Sequence, residues 1–277
     1  MNYRHAYHAG NFADVVKHAL LVRLIAYLKR KDKAFRVYDT HAGRGRYDLK
    51  ADEALRTGEA HAGILRLAAD PDLRGEPLFA DYFAAIEADL AEGFYPGSPL
   101  IARRCLRAID RLSAYELHPK DGEALRHLFA GDIQTKAMLL DGWLALGAHL
   151  PPKEKRGLVL IDPPFEKTSE VDDILAGLDK ALGRWRGGIY AVWYPIKKKA
   201  LAERLLSGIR ALAPDEALAV EARFESEAQE EERFVGTGLA VINPPYLFAG
   251  EAETIVNRLV PALKRDKSAT GSVFALT

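Results

Sequence analysis

Two stretches of the chain share a chemistry-bearing shape, "LVLIDPPFEK" at residues 158–167 and "LAVINPPYLF" at residues 239–248. Each is an apolar run ending in a polar residue, Asp162 or Asn243, then two prolines and an aromatic ring. Such a group suits alkylation of a planar amino nitrogen. An adenine or cytosine amino group is a poor nucleophile because its lone pair is delocalised into the ring. Two acceptors that take its N–H bonds draw the nitrogen toward a tetrahedral shape and release that pair. In the first stretch the acceptors are the Asp162 side chain and the Pro163 carbonyl, and the prolines stiffen the turn that aims them. Phe165 is suited to stack on the flat base. The competing reading is a helix-capping Asp in a proline-rich turn.

Those residues work only if the fold delivers them to the right sheet edge. "NFADVVKHALLVRLIAYLKR" reads as an amphipathic helix from about residue 12, with Asn11 as N-cap and Asp14 three positions on. "FRVYDT" reads as a strand and "HAGRGRYDL" as a glycine-containing turn. Residues 52–110 are mostly helical in pattern, and Ser98 with Pro99 resembles an N-cap and first helical position. "RLSAYEL", "KAMLL", "GLVLID", "GGIYAVWYP", stretches near 217–224 and 237–243, and "GSVFAL" read as further strands. "GLVLID" lacks polar alternation, as a parallel strand covered on both faces should. Strands alternating with helices specify an α/β fold with a mainly parallel sheet.

An open parallel sheet binds ligands beyond the carboxyl ends of its strands, where the strand order reverses. "DTHAGRG" is not a Walker loop and lacks the third glycine of a dinucleotide fingerprint, yet Gly43 and Gly45 permit close backbone approach. Glu116 ends "SAYEL", where a carboxylate can accept both hydroxyls of a ribose. Asp141 and Gly142 follow "KAMLL", near where an adenine ring would lie. Each acid alone is more commonly a cap or a surface carboxylate; together the strand ends favour a nucleoside ligand.

The 277 residues, 48% of them hydrophobic, suffice for one large core or one core with an inserted subdomain. A single cysteine, Cys105, excludes a disulfide framework and a cysteine-based zinc site, and it suits a reducing cytoplasm. The start "MNYRHAYHAG" has no apolar signal-peptide core and no stretch has the length of a membrane span, so a soluble cytoplasmic protein is expected. The 39 basic and 39 acidic residues balance, but residues 1–36 hold eight Lys or Arg against two acids. Lys197, Lys198 and Lys199 cluster again, and acids gather in "ESEAQEEE" at 225–232. The basic block fits a polyanion partner as well as it fits a solvated helix face. His5, His8, His18 and His41 match no standard zinc spacing, so no metal is expected.

"YRHAYHAGNFADVVKH", "DTHAGRGRY", "YPGSPLIAR", "ELHP", "LIDPPFE", "GIYAVWYP" and "INPPY", in order from residue 3 to about 246, together resemble the RlmJ family. These are bacterial enzymes that use S-adenosylmethionine to methylate an adenine N6 of 23S ribosomal RNA. The resemblance implies a class I methyltransferase fold, Rossmann-like with a mainly parallel seven-stranded sheet, in one domain over 1–277. A helical insertion, about 52–110, would lie between the first and second strands. It implies that His18, His41 and Ser98 meet the methionine end of the cofactor with Lys17 nearby. Glu116 would hold the ribose, Asp141 and Gly142 the adenine side. Asp162 would serve both reaction and cofactor pocket, and Tyr3 would lie over the site and touch the RNA. The product would be S-adenosylhomocysteine. In that topology the fourth strand lies beside the first, so Asp162 emerges next to the cofactor. Asn243 would sit on a late antiparallel strand pointing to the opposite edge.

Three alternatives stay open at this point: a DNA adenine-N6 methyltransferase, a protein glutamine-N5 methyltransferase, and a non-catalytic RNA-binding assembly factor. Intact Asp162, Pro163 and Phe165 disfavour the last. No membrane partner is expected, and a monomer is.

Overall fold

The computed structural model describes residues 8–197, 199–226 and 234–277. The chain opens with α1 (Phe12–Lys29), β1 (Arg36–Asp39) and β2 (Arg46–Asp48). A helical run follows: α2 (Asp52–Thr57), α3 (Glu59–Ala62), α4 (Ile64–Ala68), α5 (Pro71–Arg74) and α6 (Ala80–Glu92). β3 (Phe94–Pro96) pairs with β2, and α7 (Ser98–Cys105) leads back to the sheet. Next come β4 (Arg111–Glu116), α8 (Pro119–Leu128), β5 (Thr135–Leu139), α9 (Trp143–Ala148) and β6 (Gly157–Ile161). Then α10 (Glu170–Arg184), β7 (Ile189–Ile196), α11 (Lys199–Ala211), β8 (Ala217–Arg223) and β9 (Gly236–Ile242) lead to α12 (Phe248–Leu263) and β10 (Thr270–Ala275).

The main sheet has the order β10-β8-β9-β7-β6-β1-β4-β5. β1 lies between β4 and β6 and is parallel to both, so the strand order reverses there. β9 runs antiparallel to β7 and β8, and β10 antiparallel to β8. This is the class I methyltransferase sheet with eight strands instead of seven. The eighth is the "GSVFAL" segment, whose backbone satisfies the otherwise open edge of β8.

β6 shows why the parallel strands read as unbroken apolar runs. Leu158 and Leu160 enter one core cluster with α1 and α12, while Val159 and Ile161 enter a second with α10 and α11. Both faces are covered, so both sets must be apolar.

Helix α1 departs from the amphipathic pattern expected of it: 14 of its 18 residues are buried. It is wedged against α7, α12 and the sheet, so little of its surface meets water. Asn11 caps it as expected, accepting the N–H groups of Ala13 and Asp14 at 2.9 and 3.0 Å. Ser98 is not the cap of α7; Gly97 holds that position in extended conformation. The Ser98 hydroxyl instead donates to Asp39 Oδ2 at 2.7 Å, because a buried carboxylate is the stronger acceptor.

The segment between β1 and β4 packs into the core that α1 shares. Ile64, Tyr82 and Tyr95 are fully buried there, and the Ile64 N–H donates to the Gly10 carbonyl at 2.8 Å. No helix among the described residues is long and apolar enough to cross a membrane.

Candidate active site

Where the strand order reverses, the carboxyl ends of β1, β4, β6 and β7 open into a cavity of about 370 Å³, a size that suits a small organic ligand. The turn after β1 forms its floor. Gly43 has φ +60°, and a Cβ there would stand 2.2 Å from the Tyr47 hydroxyl oxygen, so only glycine fits. The Gly43 N–H donates to Glu116 Oε2 at 2.8 Å, and the His118 N–H to Glu116 Oε1 at 2.7 Å. Burial raises the pKa of Glu116, and these two N–H groups work against that rise. Each carboxylate oxygen has a further lone pair, the arrangement that accepts two neighbouring hydroxyls.

Beyond β5, Asp141 Oδ1 accepts the Trp143 N–H at 3.0 Å, so this acid does cap the start of α9 as well as lining the cavity. Gly142 touches the end of β1: a Cβ there would lie 1.8 Å from the Thr40 carbonyl oxygen. The two strand-end turns therefore meet as bare backbone. His41 stands beside them, its ring edge-on to Trp143 at 5.0 Å. Enclosure pushes its pKa down to about 3, so the imidazole is neutral.

The other half of the cavity is built on Asp162. Lys17 Nζ donates to Asp162 Oδ2 at 2.5 Å and also lies 2.9 Å from Asp14 Oδ1. Burial opposes the charge on Lys17, but the two carboxylates outweigh it and hold its pKa above the ordinary lysine value. Asp39, 1% exposed, is pushed up to about 7 by burial, with the Ser98 hydroxyl working against the rise and nearby Asp162 adding to it. Phe165 has φ +52°, an uncommon conformation for an aromatic residue. Glu170 holds that loop, with Oε2 accepting the N–H groups of Glu166 and Lys167 at 2.9 and 3.4 Å. The Phe165 ring meets Trp193 at 5.6 Å in a T-shaped contact, and Trp193 is anchored by its Nε1–H to Thr237 Oγ1 at 2.7 Å. Phe234 continues the aromatic wall.

Lys17, His18, His41, Ser98, Glu116, Asp141, Gly142, Asp162, Pro163 and Phe165 all line this one cavity. Tyr3 lies outside the described residues, as do Lys198 and most of the acidic run at 225–232. Asn243 does not line the cavity. It ends β9 at the other edge of the sheet, with φ +54°, and its amide donates to the Arg186 and Gly188 carbonyls at 2.6 Å each. Lys29 to Lys33 lie at the far end of α1, which at 18 residues puts them roughly 27 Å from the cavity end.

Sequence reasoning passed over Asp39, Asp14, Trp193 and Phe234. Asp39 had a usable signal, since it ends a strand directly before the glycine turn. In the sequence Asp14 reads as an N-terminal helix acid, whereas one of its oxygens holds Lys17 and the other accepts the Gly10 N–H at 3.0 Å. Trp193 and Phe234 reach the cavity only through pairing of β7 with β9, which local pattern does not specify.

Residues 32–274 match the family model described as "Ribosomal RNA large subunit methyltransferase D, RlmJ". The chain is 38% identical over 269 residues to the ribosomal RNA large subunit methyltransferase J of Escherichia coli (strain K12), covering 95% of each chain. It is 36% identical over 281 residues to the protein of that name from Haemophilus influenzae, covering 100% of this chain and 99% of the relative. A crystal structure of a Legionella pneumophila protein superposes with a TM-score of 0.88 at 36% identity, covering 97% of this chain and 98% of that one.

Proposed function

Because the chain belongs to the RlmJ family of ribosomal RNA large subunit methyltransferases, we propose that it transfers the methyl group of S-adenosylmethionine to an adenine N6 of 23S ribosomal RNA. The chain is read as one methyltransferase domain with residues 52–110 as a helical insertion. The observation that carries the adenine reading is Asp162 at the end of β6, paired with Lys17 and followed by a held Phe165.

The residues present fit the cofactor. Glu116 offers its carboxylate to the ribose hydroxyls, and Asp141 and Gly142 line the cavity beyond β5, where the adenine would lie. His18, His41 and Ser98 would surround the amino-acid end. Bound there, S-adenosylmethionine supplies an electrophilic methyl group on a sulfonium.

The chain's own residues do the rest. Lys17 occupies Asp162 Oδ2, which leaves Oδ1 to accept one N–H of the target amino group. The Pro163 carbonyl accepts the other, and Phe165 stacks on the base. The nitrogen lone pair is thereby turned toward the methyl group, and the proton shed after alkylation passes to Asp162 Oδ1. Tyr3 would cover the base from the amino-terminal side. The test is labelled methyl transfer to 23S RNA, DNA and protein in parallel, followed by nucleoside analysis. Label in N6-methyladenosine from RNA alone is expected; label in another nucleoside, in DNA or in glutamine overturns the reading.

A further inference from the structure

Trp193 is the one residue of β7 that is not buried. Its indole lines the cavity, on a strand otherwise shut into the core. Three contacts fix that ring. The indole has a single polar atom, a donor, and this Nε1–H goes to Thr237 Oγ1 at 2.7 Å. Thr237 is 1% exposed and lies opposite Pro195, so the bond crosses diagonally from β7 to β9. Phe234 meets the ring in a T-shaped contact at 6.3 Å, and Lys17 Nζ stands over it at 5.7 Å. A ring held at its polar atom, against a second ring and under a cation has little freedom to turn.

What the indole in turn holds is Phe165. That residue has φ +52°, a conformation that local preference does not supply for an aromatic side chain. Glu170 ties down the backbone that follows, but its bonds end on the N–H groups of Glu166 and Lys167. They leave the Phe165 ring to rotate about its own side-chain bonds. Trp193 opposes that rotation, with the two ring centroids 5.6 Å apart at 71°. A T-shaped contact covers at most one face of Phe165, so the other is left open to a flat base.

We infer that Trp193 is a positioning residue for methyl transfer: anchored on Thr237, its indole sets the plane in which Phe165 stacks on the target base. This rests on the base-stacking role proposed above for Phe165 and adds what fixes that ring. The contribution belongs to the reacting geometry and not to affinity. Phosphate contacts hold the RNA whichever way Phe165 turns. A tilted base, by contrast, carries its amino nitrogen out of line with the methyl group, and a misplacement of about 1 Å can cost roughly 100-fold in rate. Glu116, Asp141 and Gly142 stand at the ends of other strands, so cofactor affinity is expected to hold.

The test is a double-mutant cycle read by single-turnover labelled methyl transfer to a 23S RNA transcript, with RNA and S-adenosylmethionine both saturating. Trp193→Leu is expected to lower the rate by roughly 30-fold or more. Filter binding of the RNA and calorimetry with S-adenosylhomocysteine should each stay within about twofold of wild type. Thr237→Val leaves the indole N–H unpaired and should slow transfer by about fivefold. In a Phe165→Ala background, Trp193→Leu should cost less than about threefold more, because the ring it positions is already gone. An equal loss in both backgrounds, or a cofactor affinity that falls in step with the rate, makes Trp193 a packing residue and overturns the inference; so does a wild-type rate in Trp193→Leu. If Trp193→Leu does not fold, Trp193→Phe takes its place in the cycle under the same criterion. A wild-type rate in Phe165→Ala would instead sink the base-stacking reading itself.

Discussion

Lys17, 4% exposed, carries a charge that no buried amine would keep without Asp14 and Asp162 beside it. That pairing fixes what each motif residue is for. Asp162→Asn keeps the shape but removes the anionic acceptor, and methyl transfer is expected to fall by roughly 100-fold or more. Asn243→Ala has the opposite profile. It loses two amide hydrogen bonds and places alanine at φ +54°, so about 2 kcal/mol of stability goes while kcat stays. Single-turnover rates and melting curves on both variants check this, and a rate defect confined to Asn243→Ala would reverse the assignment. Asp39 adds a pH signature. Its folded pKa is raised to about 7, so the folded state holds a proton that the unfolded chain has already released. Its contribution is complete at low pH and is lost as pH rises from about 4 through about 7. Asp39→Asn removes that loss, so its melting temperature relative to wild type should climb between pH 5 and pH 8. A pH-independent difference would show that Asp39 does not titrate in this window.

At the level of elements, the cavity depends on how closely the turns after β1 and β5 approach. Gly142→Ala puts a methyl group 1.8 Å from the Thr40 carbonyl oxygen, and backbone cannot give way as a flexible side chain can. The turns must separate, and S-adenosylhomocysteine affinity is expected to fall by at least about tenfold with a lowered melting temperature. Gly147→Ala in α9 is the control. Nothing lies within 4 Å of a Cβ there, so helix propensity alone should act and add about 0.5–1 kcal/mol. Calorimetry and thermal unfolding separate the two, and equal effects would remove the close approach as the cause.

Across the whole molecule, charge is balanced in number but divided in space. Lys29 to Lys33 lie at the opposite end of α1 from the cavity, and their backbone carbonyls take hydrogen bonds from Arg107 and Arg156. Lys167 and Lys197 stand at the cavity itself. On the proposed reading, a short RNA hairpin over the active site is expected to reach the second group and not the first. Lys167→Gln with Lys197→Gln should flatten the slope of log K against log salt by about 1.4, two single-strand phosphate contacts. Changing Lys29, Arg30, Lys31 and Lys33 to Gln should leave the hairpin's slope and kcat unaltered. The reverse result in filter binding over a salt series would return the amino-terminal block to the RNA path.

Local chemistry was legible in the chain itself. The apolar run before Asp162, the glycines after β1, the acids at strand ends and the strand–helix alternation each depend on neighbours in sequence, and so did the α/β class. The prolines and the aromatic ring of "NPPY" are as suggestive as those of "DPPF", and no local rule separates them. Strand order does, by setting β6 beside β1 and turning β9 the other way. Long-range pairing likewise decided that Ser98 serves Asp39 instead of a helix end, that α1 is buried nearly all round, and that Trp193 and Phe234 face the cavity. Periodicity reports which face of an element is apolar. Which elements then meet, and so which partner a buried polar group finds, is set by the free energy of packing the whole chain.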